Sequence, residues 1–141
     1  MSWTVAATHA SLLAGLGLAF EVCFTALMDA RTAGNLRLMG YTYLWMLPAY
    51  GLVYPLLSLL YPLVSGWPLP LRGLLYTGLA ILLEYSIGRL LRAATGECPW
   101  EKKYYPSHWS VHGLTRLDYA PAWFMAGILF EFAFRVLKGL P

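Results

Sequence analysis

Four long apolar segments dominate the sequence. They run over residues 5–28, 42–64, 71–94 and 119–136, and each is close to the roughly 20 residues that a helix needs to cross a bilayer. Only 12% of the 141 residues are charged, against about 25% in an average soluble domain. The sequence therefore predicts an all-α integral membrane four-helix bundle, built as a single transmembrane domain over residues 1–141. The third and fourth helices are joined by a long polar loop at residues 95–118.

The basic residues are distributed unevenly between the two ends of the predicted spans. The first and third loops, with the helix ends that flank them, carry Arg31, Arg37, Arg89, Arg92, Lys102, Lys103 and Arg116. The opposite side carries Arg72, Arg135 and Lys138. Because loops rich in lysine and arginine stay in the cytoplasm, we expect a multi-pass protein with cytoplasmic odd loops and both termini on the other side.

Three glutamates lie near the middle of different apolar segments, namely Glu21, Glu84 and Glu131. A charged side chain at the bilayer centre costs roughly 2.5 to 3.5 kcal/mol on insertion scales, so an intramembrane acid is by default a functional-site hypothesis. Two structural alternatives stay open. Glu131 can pair with Arg135 one turn away, and Glu21 and Glu84 can be protonated acids that hydrogen-bond neighbouring helices.

Two of these acids lie on helix faces made of small or hydroxylated residues. At about 100° per residue, Glu21 shares its face with Ala10, Ala14, Gly17 and Thr25, and Glu84 shares its face with Gly73, Thr77, Ala80 and Gly88. Small residues let helix backbones approach closely within a membrane. We therefore expect Glu21 and Glu84 to face the interior and to approach each other.

The second apolar segment carries three prolines spaced by seven residues, Pro48, Pro55 and Pro62. Each proline removes a backbone donor and leaves a carbonyl oxygen without its helical partner. At membrane depth such oxygens need another helix, a hydroxyl or a water-lined cavity. Tyr50, Tyr54 and Pro55 are therefore candidates for a cavity wall, and a simply bent packing helix is the alternative.

The loop at residues 95–118 mixes bases with aromatic side chains, a composition typical of the lipid headgroup region. The bases expected to contact headgroups are Arg89, Arg92, Lys102 and Lys103. His108 and His112 are spaced for a metal on a helix, but the nearby Pro106 and Gly113 favour a loop, so no metal site is predicted. The sequence leaves the cofactor unknown, and it indicates neither a disulfide nor a nucleic-acid partner.

Four strings of the sequence carry a resemblance to known proteins, namely Phe20-Glu21-Val22-Cys23-Phe24-Thr25-Ala26-Leu27, Glu84-Tyr85-Ser86-Ile87-Gly88, Cys98-Pro99-Trp100 and Leu117-Asp118-Tyr119-Ala120-Pro121-Ala122-Trp123-Phe124. They resemble the transmembrane protein 229 family, which is itself similar to bacterial proteins labelled ABC-transporter type IV permeases. The resemblance covers most of the chain. It implies a small four-helix membrane protein in which Glu21, Glu84 and Glu131 occupy positions that match acids of the family pattern.

Three functions are compatible with these observations. The first is a transporter or permease that binds a proton, a cation or a cationic solute at Glu21, Glu84 and Glu131, with Thr25 and Tyr85. Since four helices make a thin pathway, a homodimer or a partner subunit is expected. The second is an enzyme or binding protein for lipid headgroups, with Glu84 as acid or base, Tyr85 or Tyr119 as donor and Arg89 or Arg92 as phosphate clamp. The third is a membrane scaffold without chemistry.

Overall fold

The computed structural model describes residues 2–34 and 36–140. Its elements are α1 (Trp3–Ala33), α2 (Met46–Gly51), α3 (Val53–Val64), α4 (Leu69–Thr95), α5 (Glu101–Tyr104), β1 (Ser110–Val111), β2 (Thr115–Arg116), a 3-10 turn (Leu117–Tyr119) and α6 (Ala120–Lys138). Within the described ranges, four helical segments are long and apolar enough to cross a membrane, namely Trp3–Ala33, Met46–Val64, Leu69–Thr95 and Leu117–Lys138. The prediction of an all-α membrane protein with four helices is confirmed.

The helix ends carry the expected local signals. The Ser2 side chain accepts a hydrogen bond from the Val5 backbone N–H and begins α1, as serine does at helix N-termini. Gly34 and Gly96 follow α1 and α4 in the left-handed conformation, with φ of 62° and 89°, which glycine adopts without strain. As a result α1 is longer than predicted, because its cap lies before residue 5 and its terminating glycine lies beyond residue 28.

The second segment differs from the continuous helix predicted over residues 42–64. Helical structure begins at Met46, and it divides at Leu52 into α2 and α3. Pro55 provides the physical reason, because it has no N–H to bond the carbonyl of Gly51, the last residue of α2. Pro62 lies inside α3. Pro55 therefore accompanies the break between α2 and α3, whereas Pro62 is accommodated within a continuous helix.

The chain divides into two compact units. The first comprises Met1–Gly66 with Leu129–Pro141, and the second comprises Trp67–Ile128. The chain passes from the second unit into the first within α6. That the whole chain acts as one transmembrane domain stays a prediction.

The first unit packs aromatic rings against the small residues of α1. Ala14 and Gly17 are buried, and the Tyr50 ring lies so close to Gly17 that a Cβ atom there would overlap it. The Tyr50 ring also lies 5.8 Å from the ring of Phe130, and Tyr54 lies 5.8 Å from Phe134. The small face of α1 therefore allows α2 to approach closely, as expected from its composition.

The second unit is built on the inner face of α4. Gly73, Tyr76, Thr77, Glu84, Gly88 and Leu91 are buried there. The Phe124 ring of α6 packs on Gly73, and the Tyr76 side chain packs on Gly127. The periodicity that placed Glu84 on one face with Gly73, Thr77 and Gly88 is thus seen in the burial of α4.

Residues 96–119, here called the cap, form a folded structure where the sequence predicted an interfacial loop. The cap contains α5, an antiparallel hairpin that pairs Ser110 with Arg116 and Val111 with Thr115, and the 3-10 turn. It has its own buried side chains, namely Cys98, Trp100, Leu114 and Thr115. Tyr105 and Trp109 of the cap are 58% and 60% exposed, so contact of the cap with lipid headgroups stays a prediction.

Candidate functional site

The carboxylate of Glu84 lies under the cap and is bound by two of its hydroxyl groups. Tyr104 of α5 donates to Oε1 at 2.6 Å, and Thr115 of β2 donates to Oε2 at 2.5 Å. Both distances lie in the range of hydroxyl-to-carboxylate hydrogen bonds. The Glu84 residue is only 6% exposed, so the cap covers the acid and supplies its donors.

The position of Glu84 along α4 places it nearer the cap end of the helix than its start. At about 1.5 Å per residue, Glu84 precedes the end of α4 at Thr95 by about 16 Å and follows Leu69 by about 22 Å. Arg89, which is exposed, lies about 7 Å nearer the cap end by the same rise. The acid therefore lies within about two turns of a charged side chain.

A close approach between the hairpin and α4 brings Thr115 to Glu84. The Leu114 side chain packs on Gly88, where an added Cβ would lie 3.0 Å from Leu114 Cδ2. The Trp100 indole N–H donates to the Leu114 carbonyl at 2.8 Å and also holds Leu114 in place. Gly88 follows Glu84 by one helical turn, and Leu114 directly precedes Thr115. The packing of Leu114 on Gly88 therefore positions the Thr115 hydroxyl against the Glu84 carboxylate.

Arg92 attaches the cap to the last turns of α4. Its Nε donates to Glu101 Oε2 at 2.8 Å, and its Nη2 donates to the His112 carbonyl at 2.8 Å. Glu101 also accepts the Cys98 backbone N–H at 3.1 Å. The Cys98 hydrogen bond, followed by that of Arg92, lowers the pKa of Glu101. Arg92, predicted to contact lipid headgroups, is thus held by the cap.

The other residues predicted to bind substrate or lipid in this unit have different surroundings. The Tyr85 hydroxyl lies 2.9 Å from His112 Nδ1, so Tyr85 contacts the turn of the hairpin. His112 adopts a φ of 55° at that turn, which agrees with the prediction that the histidine pair lies in a loop. Lys102 and Lys103 are exposed, and Lys102 pairs with Glu97 at 3.0 Å.

An aromatic corner lies beside Glu84. The rings of Tyr104 and Tyr119 meet edge to face, with centroids 5.9 Å apart and an interplanar angle of 84°. The Arg116 guanidinium lies 4.2 Å from the Tyr119 ring centroid and 5.9 Å from that of Tyr104. Asp118 binds the same guanidinium through both its oxygens and raises the pKa of Arg116. The corner therefore holds a cation over two tyrosine faces.

Glu21 in the first unit has the same types of donor as Glu84. The Thr42 hydroxyl donates to Glu21 Oε2 at 3.0 Å, and the Tyr50 side chain also hydrogen-bonds this acid. Both partners lie beyond α1, one in the segment that precedes α2 and one within α2. Glu21 is half-buried, so its carboxylate is less enclosed than that of Glu84.

Thr25 and Gly40 hold the segment that brings Thr42 to Glu21. The Thr25 hydroxyl donates to the Tyr41 carbonyl at 2.9 Å and accepts the Tyr41 N–H at 2.9 Å. A Cβ at Gly40 would overlap the Val22 carbonyl oxygen, so this segment lies directly on the backbone of α1. Thr25, predicted as a binding residue, is engaged in positioning this segment.

The remaining predicted residues also belong to the first unit. Glu131 is 2% exposed, and Tyr50 and Tyr54 are 5% and 4% exposed. Pro55 is exposed, so the two tyrosines lie on the buried side of their helices and Pro55 does not line it. The approach of Glu21 to Glu84 and the pairing of Glu131 with Arg135 stay predictions.

Sequence reasoning did not identify the hydroxyl partners of the acids. Thr42, Tyr104 and Thr115 are separated from their glutamates by 21, 20 and 31 residues, so no helical periodicity connects them. A signal was nevertheless present, since Thr42 and Thr115 each lie two residues after a glycine. The spacing by itself does not predict a contact with a glutamate, because that contact forms only where the connecting segments fold back on the helices.

No family model matches the chain, and no solved structure matches it. The resemblance to the transmembrane protein 229 family therefore stays a prediction from local strings. The function of the chain has to be inferred from the geometry of its acids.

Proposed function

We propose that this chain is a transporter or permease-type membrane protein that binds and releases a proton or a small cation at Glu84, with the cap as its cover. The observation that carries the proposal is the buried carboxylate with a hydroxyl on each oxygen, Tyr104 at 2.6 Å and Thr115 at 2.5 Å. Intramembrane acids of transport proteins commonly mark proton or ion pathways.

The two hydroxyl groups suit an acid that changes its protonation state. A hydroxyl is both a donor and an acceptor, so Tyr104 and Thr115 can donate to the carboxylate and one of them can accept from the protonated acid. The site then keeps its hydrogen bonds in both states. A lysine or arginine partner would have only donors and would favour the carboxylate alone.

The cap supplies the control of access that transport needs. Glu84 is enclosed when Tyr104 and Thr115 lie on it, so exchange with water requires the cap to move. Beyond the acid, the cap is attached to α4 by the polar contacts of Arg92 with Glu101 and His112 near the helix end, and by the packing of Leu114 on Gly88. Movement of the cap would expose the acid without unfolding α4.

The same hydrogen bonds favour a second candidate function, in which Glu84 only fastens the cap to α4 in a membrane scaffold. Glutamine distinguishes the two functions, because it keeps the size and hydrogen bonding of glutamate but neither carries charge nor releases a proton. The scaffold function predicts that Glu84→Gln is tolerated. The transport function predicts loss of flux with the fold intact.

The experiment measures ion flux in liposomes that contain the purified chain. Valinomycin and a potassium gradient set the potential, an enclosed pH dye reports protons, and parallel samples test sodium and potassium. Flux in the wild type, its loss in Glu84→Gln and its retention in Glu97→Gln are expected. Glu97 is the matched control because it is an exposed acid of the cap. Full flux in Glu84→Gln, or wild-type flux equal to that of empty liposomes, would reject the proposal.

A further inference from the structure

We infer that the corner formed by Tyr104 and Tyr119 is a binding site for a quaternary ammonium group, which Arg116 occupies in the structure. This inference rests on the proposed function and deepens it, since it names a class of cationic solute for the site beside Glu84. The planes of the Tyr104 and Tyr119 rings are inclined at 84° with centroids 5.9 Å apart, so a face of each ring borders the same space. The Arg116 guanidinium already lies there, 4.2 Å from the Tyr119 ring centroid.

The chemistry of the corner selects a weakly hydrated cation. Aromatic faces attract cations through their quadrupole, and cages of such faces recognise quaternary ammonium groups. Guanidinium is itself a weakly hydrated, delocalised cation, so Arg116 shows what kind of charge the corner accepts. Sodium holds its water more strongly, and the rings offer no oxygen ligands to replace that water.

Arg116 can leave the corner without breaking its ion pair. The Arg116 and Asp118 side chains are 20% and 30% exposed, so the pair can turn outward together. Glu84 is enclosed by comparison. A cation from solution therefore competes with the tethered Arg116 side chain for the corner. This competition lowers the affinity of the wild-type protein for the added cation, because the effective concentration of a group on a short tether is in the millimolar range.

Occupation of the corner is coupled to Glu84 through Tyr104 and Arg116. Tyr104 supplies one ring of the corner and also donates its hydroxyl to Glu84. Arg116 follows Thr115, the second donor to Glu84, in the short strand β2. A bound quaternary ammonium group that displaces Arg116 would therefore shift the strand that holds the acid, and a cationic solute would loosen the cover of the proton site.

Removal of the Arg116 side chain should tighten cation binding, because the tethered competitor is lost. Tetramethylammonium is titrated calorimetrically into the chain in phosphatidylglycerol nanodiscs, which contain no competing ammonium. Arg116→Gln should bind about five- to thirtyfold more tightly than the wild type, the range expected for one partly desolvated cation–π site. Arg89→Gln, which removes the same charge from an exposed position, should bind like the wild type.

Two further variants test the aromatic faces. Tyr119→Leu added to Arg116→Gln should abolish the gain, and in the wild-type background it should weaken binding. Tyr105→Leu is the control, because Tyr105 is 58% exposed and is not part of the corner. Lack of tightening in Arg116→Gln, equal tightening in Arg89→Gln, or no effect of Tyr119→Leu would overturn the inference. The wild-type test with Tyr119→Leu remains decisive if Arg116→Gln does not fold.

Repeating the titration in phosphatidylcholine nanodiscs identifies the source of the ligand. Competition by the lipid would indicate a choline headgroup, and an unchanged affinity would indicate a solute in water. The flux assay separates this inference from the proposed function. Loss of tetramethylammonium binding in Tyr119→Leu with normal proton flux would reject the role of the corner in transport and leave the proposed function of Glu84. Full flux in Glu84→Gln with normal tetramethylammonium binding would reject the proposed function and leave the corner as a cation-binding site.

Discussion

Glu21 and Glu84 each accept hydrogen bonds from one threonine and one tyrosine, yet the two acids are enclosed in different ways. At Glu21 the covering segment lies on the backbone of α1, because Gly40 meets the Val22 carbonyl. At Glu84 the cover is a cap with its own buried residues, which contacts α4 through side chains such as Leu114 on Gly88.

The difference concerns what must move to expose each acid. Backbone packed on backbone cannot shift without displacing a whole segment, whereas the end of a leucine side chain can change its position at small cost. The Glu21 site is therefore suited to a fixed structural role and the Glu84 site to opening and closing. Three predictions test this comparison, from the largest expected effect to the smallest.

The first prediction compares two glycines at the contacts. Gly40→Ala should destabilise the protein by about 3 kcal/mol, because the new methyl group meets a backbone oxygen that cannot relax. Gly88→Ala should stay within about 1 kcal/mol of the wild type, because Leu114 can shift and alanine favours the helix by about that amount. The measurement is unfolding by SDS in mixed micelles.

Gly78→Ala is the control for helix propensity, since, beyond the neighbouring backbone of α4, no atom of the residues that the structure describes lies within 4 Å of a Cβ at that position. It should be neutral or slightly stabilising. Equal destabilisation by Gly40→Ala and Gly88→Ala would show that both covers are equally rigid, and the distinction between the two sites would then be lost.

The second prediction concerns the hydroxyl donors. Thr115→Val should cost about 1.5 to 3 kcal/mol, because it removes a hydrogen bond to a buried acid and leaves the acceptor without that donor. Thr42→Val should cost about 1 kcal/mol or less, because Glu21 is half-buried and water can replace the lost donor. Valine keeps the shape of threonine in both variants.

The unfolding of the two valine variants is measured side by side. Thr8→Val is the control, since the Thr8 hydroxyl donates to the Thr4 carbonyl on an exposed part of α1. A larger loss at Thr42 than at Thr115 would contradict the view that Glu84 is the more enclosed acid.

The third prediction uses the pH dependence of the cap. The pKa of Glu101 is lowered by the Cys98 N–H and by Arg92. A carboxyl with a lowered pKa stabilises the folded state above its ordinary pKa, and this contribution is lost as pH falls through the lowered value. The stability difference between wild type and Glu101→Gln should therefore be greatest near neutral pH and should vanish in acid.

Thermal unfolding midpoints of both proteins across this pH range provide the test. Asp29→Asn, in the exposed last turns of α1, is the matched control and should show no such convergence. A difference that persists unchanged at low pH would indicate that the Glu101 hydrogen bonds do not depend on its charge.

The sequence alone determined the features that depend on local composition. The lengths of the apolar segments predicted four membrane helices, and the spacing of small residues predicted that Glu84 faces inward with Gly73 and Gly88, which the burial of α4 bears out. Helix periodicity and bilayer thickness act within one segment, so the chain itself contains the necessary information.

Only the tertiary structure decided the partners of the acids and the character of the cap. Thr115 reaches Glu84 across 31 residues, and Arg92 binds the cap although its position suggested contact with lipid. Composition cannot distinguish a folded cap from an interfacial loop, because both use tryptophan, tyrosine and lysine. The difference arises from where each side chain is buried, and burial depends on packing between segments that are distant in the sequence.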